Sequence, residues 1–180
     1  MQKKKIALFG NVRILAMAAL LCAVSAVMKL LSINLGEVIR FSFENFPIIF
    51  AGIFFGPVIG GAVGVVADLL GCLLHGFGVI PLITLSSLCV GVFAGCVPLV
   101  FKRINNATVI SSTFLAHIIG NMLVKTFALS LTYGTPFDVL IWRVPIYIIT
   151  AFVEAVLIIV LYKSSVIRKG IERVKNNELQ

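Results

Sequence analysis

The sequence predicts an all-α integral membrane protein, a compact bundle of six transmembrane helices with both termini in the cytoplasm. Three observations carry this expectation. Sixty per cent of the 180 residues are hydrophobic and only 12% are charged, against about a quarter charged in a soluble domain. The apolar residues gather into long runs, and a hydrocarbon core about 30 Å thick needs roughly 20 of them per helix, so the chain holds about six spans and little else. The basic residues, which give a net charge of +8, cluster in the short polar segments between the runs. That is a topology pattern, not a basic face with interleaved aromatics for nucleic acid.

The apolar runs occupy 14–33, 46–58, 60–75, 79–101, 108–133 and 141–162. The first follows Lys3, Lys4, Lys5 and Arg13 and contains "AVSA", so it also resembles a cleavable signal peptide. Cleavage would leave five spans and an outside amino end, which spoils the charge pattern described below. Within this run Ala19 and Ala23 lie four apart on one face, flanked by Ala16, Ala18, Cys22 and Ala26. Such a smooth face suits either packing inside the bundle or docking of another membrane protein.

The second and third runs are short. They read as one helix over 47–74 or as two spans turning at Gly56-Pro57 and Gly60-Gly61. Charge decides between them. With six spans, Lys3, Lys4, Lys5, Arg13, Lys102, Arg103, Lys163, Arg168, Lys169, Arg173 and Lys175 are all cytoplasmic, 11 of the 15 basic residues. Five spans would put Lys102, Arg103 and the basic tail outside, against the positive-inside tendency. Gly56-Pro57 is therefore expected to end one span and Gly60-Gly61 to begin the next. Gly52, Gly56, Gly60 and Gly64 repeat every four residues, as do Gly91 and Gly95 in the fourth run. Small residues at this spacing let helix backbones approach closely in a membrane. The chain reads as one transmembrane domain over 1–180, with a basic start at 1–13 and a basic tail at 163–180.

Ionisable residues inside a span are costly and mark function or buried pairing. Here they are Asp68, His117, Lys125 and Glu154, with Arg143 at the outer start of the sixth run. "HIIGNMLVK" sets His117, Asn121 and Lys125 at steps of four along one face, and at about 1.5 Å per residue Lys125 lies roughly 12 Å below Tyr133. Asp68 falls at a similar depth from the other side, so a buried Asp68–Lys125 pair is the expected structural role for both.

Nearer the outside, polar groups converge from several runs. The first outer loop supplies Glu37, Arg40, Ser42, Glu44 and Asn45, the fourth span opens with Thr84, Ser86 and Ser87, and the sixth begins with Trp142 and Arg143. With Asn121 and Lys125 these form a candidate pocket for a flat anionic molecule, since Trp stacks and Arg grips carboxylates with a planar fork. Trp142 and Arg143 equally suit an interfacial anchor and a snorkelling cation.

Other chemistries find no support. Cys22, Cys72, Cys89 and Cys96 lie in apolar runs without Cys-x-x-Cys spacing and read as small core residues rather than metal ligands. There is no P-loop, no H-E-x-x-H and no G-x-S-x-G, and His75 and His117 lack the carboxylate partners of a catalytic constellation. The chain reads as a binder or transporter without a cofactor of its own.

The ordered segments "ALLCA", "FSFENFPIIFAGIFFGPVIGGAVGVVADLLG", "TLSSLCVGVFAG", "HIIGNMLVKTFALSLTYGTPF" and "WRVP" resemble the substrate-binding S components of energy-coupling factor (ECF) vitamin transporters over nearly the whole chain. "FAGIFFGP", "ADLLG" and "LSLTYGTPF" to "WRVP" are most similar to the folate group. Arg143-Val144-Pro145-Ile146 departs from that group, which often carries a basic residue shortly after the proline, in the part of the site that recognises glutamate.

The resemblance implies a subunit in the cell membrane that captures a vitamin at its outer face. It then reorients on a transmembrane coupling subunit driven by two cytoplasmic ATPases, which bind the ATP. It assigns Ala19 and Ala23 to the docking surface and the vitamin's cover to the loops containing Arg40, Phe77 and Asp138. Asp68 becomes a polar strut inside a rigid glycine-packed body. The competing expectations are another B vitamin or related heterocycle, and a self-sufficient transporter or channel in which Asp68, Lys125 and Glu154 form an ion pathway.

Overall fold

A computed structural model describes residues 12–35, 39–76, 78–101, 104–134, 136 and 141–176. Lys3, Lys4, Lys5, Glu37, Phe77, Lys102, Arg103 and Asp138 lie outside the described residues. The chain runs through α1 (Val12–Leu30), a hairpin of β1 (Ile33–Leu35) and β2 (Ile39–Phe41), α2 (Asn45–Phe55), α3 (Pro57–His75) and α4 (Pro81–Phe101). It continues through α5 (Asn106–Ala116), a π-helical segment (His117–Lys125), α6 (Thr126–Tyr133), α7 (Arg143–Lys163) and α8 (Ser165–Asn176). The helical class holds with one addition: the first interhelical connection pairs antiparallel, with Asn34 opposite Arg40.

Among the described residues, five helical rods are long and apolar enough to cross a membrane: α1, α3, α4, the continuous Asn106–Tyr133 rod and α7. The second expected span is the exception. At 11 residues, α2 measures about 16 Å, roughly half the hydrocarbon thickness. It stops at Gly56, whose φ of 95° lies where only glycine is unstrained. Pro57 then occupies the first turn of α3, where its missing N–H costs nothing. The break expected at Gly56-Pro57 is present. Gly60 and Gly61 do not begin the third helix; they are buried inside it, one turn on, because proline at N1 starts the helix at once.

The glycines form a ladder. Added Cβ atoms show how close the backbones lie: on Gly95 one would sit 2.5 Å from the Pro57 nitrogen, and on Gly60 one would sit 2.6 Å from both the Gly52 Cα and the Gly91 carbonyl oxygen. On Gly64 it would strike the Ser87 carbonyl. Thus α2 folds back on α3 through Gly52 and Gly60, and α3 runs antiparallel to α4 with Gly60 on Gly91 and Gly64 on Ser87. Close backbone packing of this kind substitutes for a hydrophobic drive that lipid does not supply.

The outside of the bundle is apolar. Leu73, Leu99, Phe127, Phe152 and Val160 are all exposed, whereas Asp68, Ser86, Ser112, Thr113, His117, Asn121 and Glu154 are buried. A solvent of hydrocarbon explains that inversion.

Candidate functional site

The buried polar groups resolve into two clusters. The first continues the glycine ladder upward: one turn beyond Gly64 and Ser87, the Thr84 hydroxyl donates to Asp68 Oδ2 at 2.7 Å. Lys29 Nζ, from the end of α1, pairs with Asp68 Oδ1 at 2.6 Å and reaches the Asp68 carbonyl at 3.4 Å and Cys72 Sγ at 3.6 Å. Its stem lies against Gly71, where a Cβ would collide with Lys29 Cδ. The glycine leaves the slot through which a cation reaches a buried carboxylate.

The second cluster joins α2, the π-segment and α7. Lys125 Nζ holds Glu44 Oε1 at 2.8 Å. The Glu44 backbone is fixed on both sides: its N–H donates to Ser42 Oγ at 3.1 Å, and its carbonyl accepts from Ser25 Oγ at 2.6 Å. Below it His117 Nε2 meets Glu154 Oε2 at 2.8 Å, with both side chains almost fully buried. A carboxylate at Nε2 places the proton there and leaves Nδ1 to accept from the Asn121 amide at 2.9 Å. Ser86 Oγ donates to the Gly120 carbonyl at 3.0 Å, which ties α4 to the π-segment. Wide π turns are frequent at functional positions, and this one carries His117, Asn121 and Lys125 on one segment.

Several expectations require correction. Asp68 and Lys125 do not pair with each other; their partners are Lys29 and Glu44. In the sequence, Lys29 at the end of an apolar run reads as an interfacial cation; in the structure it is buried with Cys22, Ser25 and Ala26. His117 does have a carboxylate partner, Glu154. Thr84 and Ser86 spend their hydroxyls on Asp68 and Gly120. Trp142 is 72% exposed at the turn before α7. Arg143 is half-buried at the first position of α7. Arg40 lies on β2, and its side chain falls outside the described residues.

Ala19 and Ala23 are exposed on α1, whereas Cys22 and Lys29 are buried. A crevice of about 260 Å³ between the π-segment and α7 is lined by Phe114, His117, Ile118, Met122, Val144, Tyr147, Ile148 and Ala151. It includes none of the expected vitamin contacts.

The family model for the substrate-specific component of ECF transporters matches residues 13–166. The chain belongs to this family. As an S component it is an integral, multi-pass membrane protein and a substrate-binding transporter subunit rather than an enzyme. Its structure is similar to that described as the S component of a bacterial ECF transporter, with a TM-score of 0.64 and 22% identity over 83% of this chain and 93% of that one. It is also similar to FolT bound with folic acid, with a TM-score of 0.65 and 28% identity over 82% of this chain and 91% of that one. An uncharacterized protein of Mycoplasma pneumoniae is 37% identical over 67 residues, 37% of this S component. The S component spans about a quarter (24%) of that curated relative's length.

Proposed function

We propose that this S component captures folate at its outer face and delivers it by reorienting on a transmembrane coupling subunit powered by two cytoplasmic ATPases. The observation that carries the reading is the likeness to FolT bound with folic acid, at 28% identity over 82% of the chain. In this reading the chain crosses the membrane six times, with α2 as the helical part of the second crossing, and both termini are cytoplasmic. The vitamin binds between the hairpin end of α1, the start of α4, the π-segment and the start of α7. Lys125 and Arg143 receive its carboxylates; Lys125 already holds that of Glu44, so it is positioned to bind an anion. Arg40, Thr84, Ser86, Asn121 and Trp142 complete the expected contact set.

The channel alternative loses ground here, because Asp68, Lys125 and Glu154 are each tied to a separate partner: Lys29, Glu44 and His117. Uptake of labelled folate into proteoliposomes tests the reading. Accumulation is expected only with the coupling subunit, both ATPases and internal ATP. Accumulation by the S component alone would contradict it.

The docking role of α1 gives a separate expectation. Ala19→Trp or Ala23→Trp places a bulky ring on an exposed, smooth helix face. Co-purification of the coupling subunit is expected to weaken roughly five- to hundredfold, from an overpacking cost of about 1–3 kcal/mol. Folate binding by the isolated subunit should stay unchanged, because neither residue faces the polar clusters. Unaltered co-purification would move the docking surface elsewhere.

A further inference from the structure

The end of the bundle opposite the hairpin is closed by α8. Ser164 leaves the helical conformation with ψ of 123°, and the chain turns into Ser165–Asn176. Ile171 is 4% exposed, and with Ile167 packed beside it joins the apolar cluster that contains Ile14, Phe54, Ile104 and Tyr162. Those residues come from the start of α1, the end of α2, the α4–α5 connection and the end of α7. Ile167 and Ile171 of α8 are therefore spent on the protein's own core, and they hold the helix against that end of the bundle.

Cations stand exposed at this end of the bundle. Arg168 and Lys169 are exposed on α8, as are Lys163 at the last turn of α7 and Arg13 at the first turn of α1. Because α1 and α7 are apolar rods of membrane length, their ends mark the hydrocarbon boundary. Arg13 and Lys163 thus stand at headgroup level, and α8, pinned there by Ile171, brings Arg168 and Lys169 to the same level.

We propose that this belt is a docking surface for anionic phospholipid headgroups. Charge complementarity identifies the occupant: four exposed cations are gathered at the depth where a leaflet presents phosphates, and each basic residue near an anionic surface contributes to attraction. Ile167 and Ile171 are covered from within, so the contact is made by cations with headgroups, not by insertion of these side chains into acyl chains as in a free amphipathic helix. The inference is independent of which vitamin is bound.

The test is native mass spectrometry of the full chain in detergent, titrated with phosphatidylglycerol or phosphatidylcholine. Wild type is expected to bind phosphatidylglycerol in preference, and added salt should weaken it. The triple variant Lys163→Gln/Arg168→Gln/Lys169→Gln is expected to bind phosphatidylglycerol at least about tenfold more weakly, since three cations are removed, with phosphatidylcholine binding unchanged. An unchanged thermal midpoint shows that the variant is folded. If it is lowered, the charge-retaining Arg168→Lys/Lys169→Arg variant must keep wild-type affinity. Equal phosphatidylglycerol affinity in wild type and triple variant overturns the proposal. So does a loss seen only as weaker co-purification of the coupling subunit, which would make the belt a protein contact.

Discussion

Lys29→Met is expected to destabilise the protein by about 3–5 kcal/mol, the range for removing one partner of a buried ion pair. The cost comes from what remains. Asp68 would keep the hydrogen bond from Thr84, and its Oδ1 would lose the Lys29 ammonium and face the vacated slot along Gly71. Replacing both partners, as Lys29→Met/Asp68→Leu, is expected to recover most of the loss, because an apolar pair of similar volume needs no desolvation. Asp68→Asn should fall between, keeping the shape of the strut but not its charge. Unfolding in detergent, followed by helix signal against denaturant, measures all three. A Lys29→Met protein as stable as wild type would show that the pair is not a strut of the rigid body.

Gly91→Val should be the most disruptive single change on the packing side. A Cβ on Gly91 would meet the carbonyl carbon and oxygen of Gly60 and the backbone nitrogen of Gly61. These are backbone atoms, which cannot move aside as the end of a side chain can. Overpacking of one methyl group costs about 1–3 kcal/mol, and a branched side chain against two backbones exceeds that. Gly91→Val is therefore expected to separate α3 from α4 and abolish the folded subunit in detergent. The contrast is Gly170→Ala on α8, where nothing lies within 4 Å of an added Cβ. There the change should be neutral or stabilising by up to about 1 kcal/mol, the propensity difference in a helix interior. A folded Gly91→Val protein with wild-type stability would refute the ladder.

How much of this was legible in the residues depends on whether a feature is local. The break at Gly56-Pro57 could be read, because φ and the missing proline N–H are properties of those residues alone. The shared face of His117 and Asn121 could be read, since helical periodicity fixes it. So could close packing at Gly52, Gly60, Gly64, Gly91 and Gly95, because small residues at intervals of four have one common use in lipid.

The pairings could not be read. Lys125 and Glu44 are separated by 81 residues, and His117 and Glu154 by 37. Periodicity states which face a side chain occupies, not which helix lies opposite. Depth is equally silent on partners: similar depth makes Asp68 and Lys125 a candidate pair on sequence, but the rotation of α3 turns Asp68 toward Lys29 of α1. The half-length of α2 was hidden because the apolar run continues past Gly56 while the helix does not.

The central claim is that this S component is built to bind folate without help from its partners. Equilibrium binding of the purified subunit in detergent to folate and a panel of B vitamins tests it most directly. The account predicts tight folate binding in preference to the panel, weakened about ten- to a hundredfold by Arg143→Ala, as expected when a charge-assisted hydrogen bond worth about 1.5–3 kcal/mol is lost. Tight binding of a different vitamin, with folate ignored, would contradict the folate assignment, and binding of none would contradict vitamin capture itself.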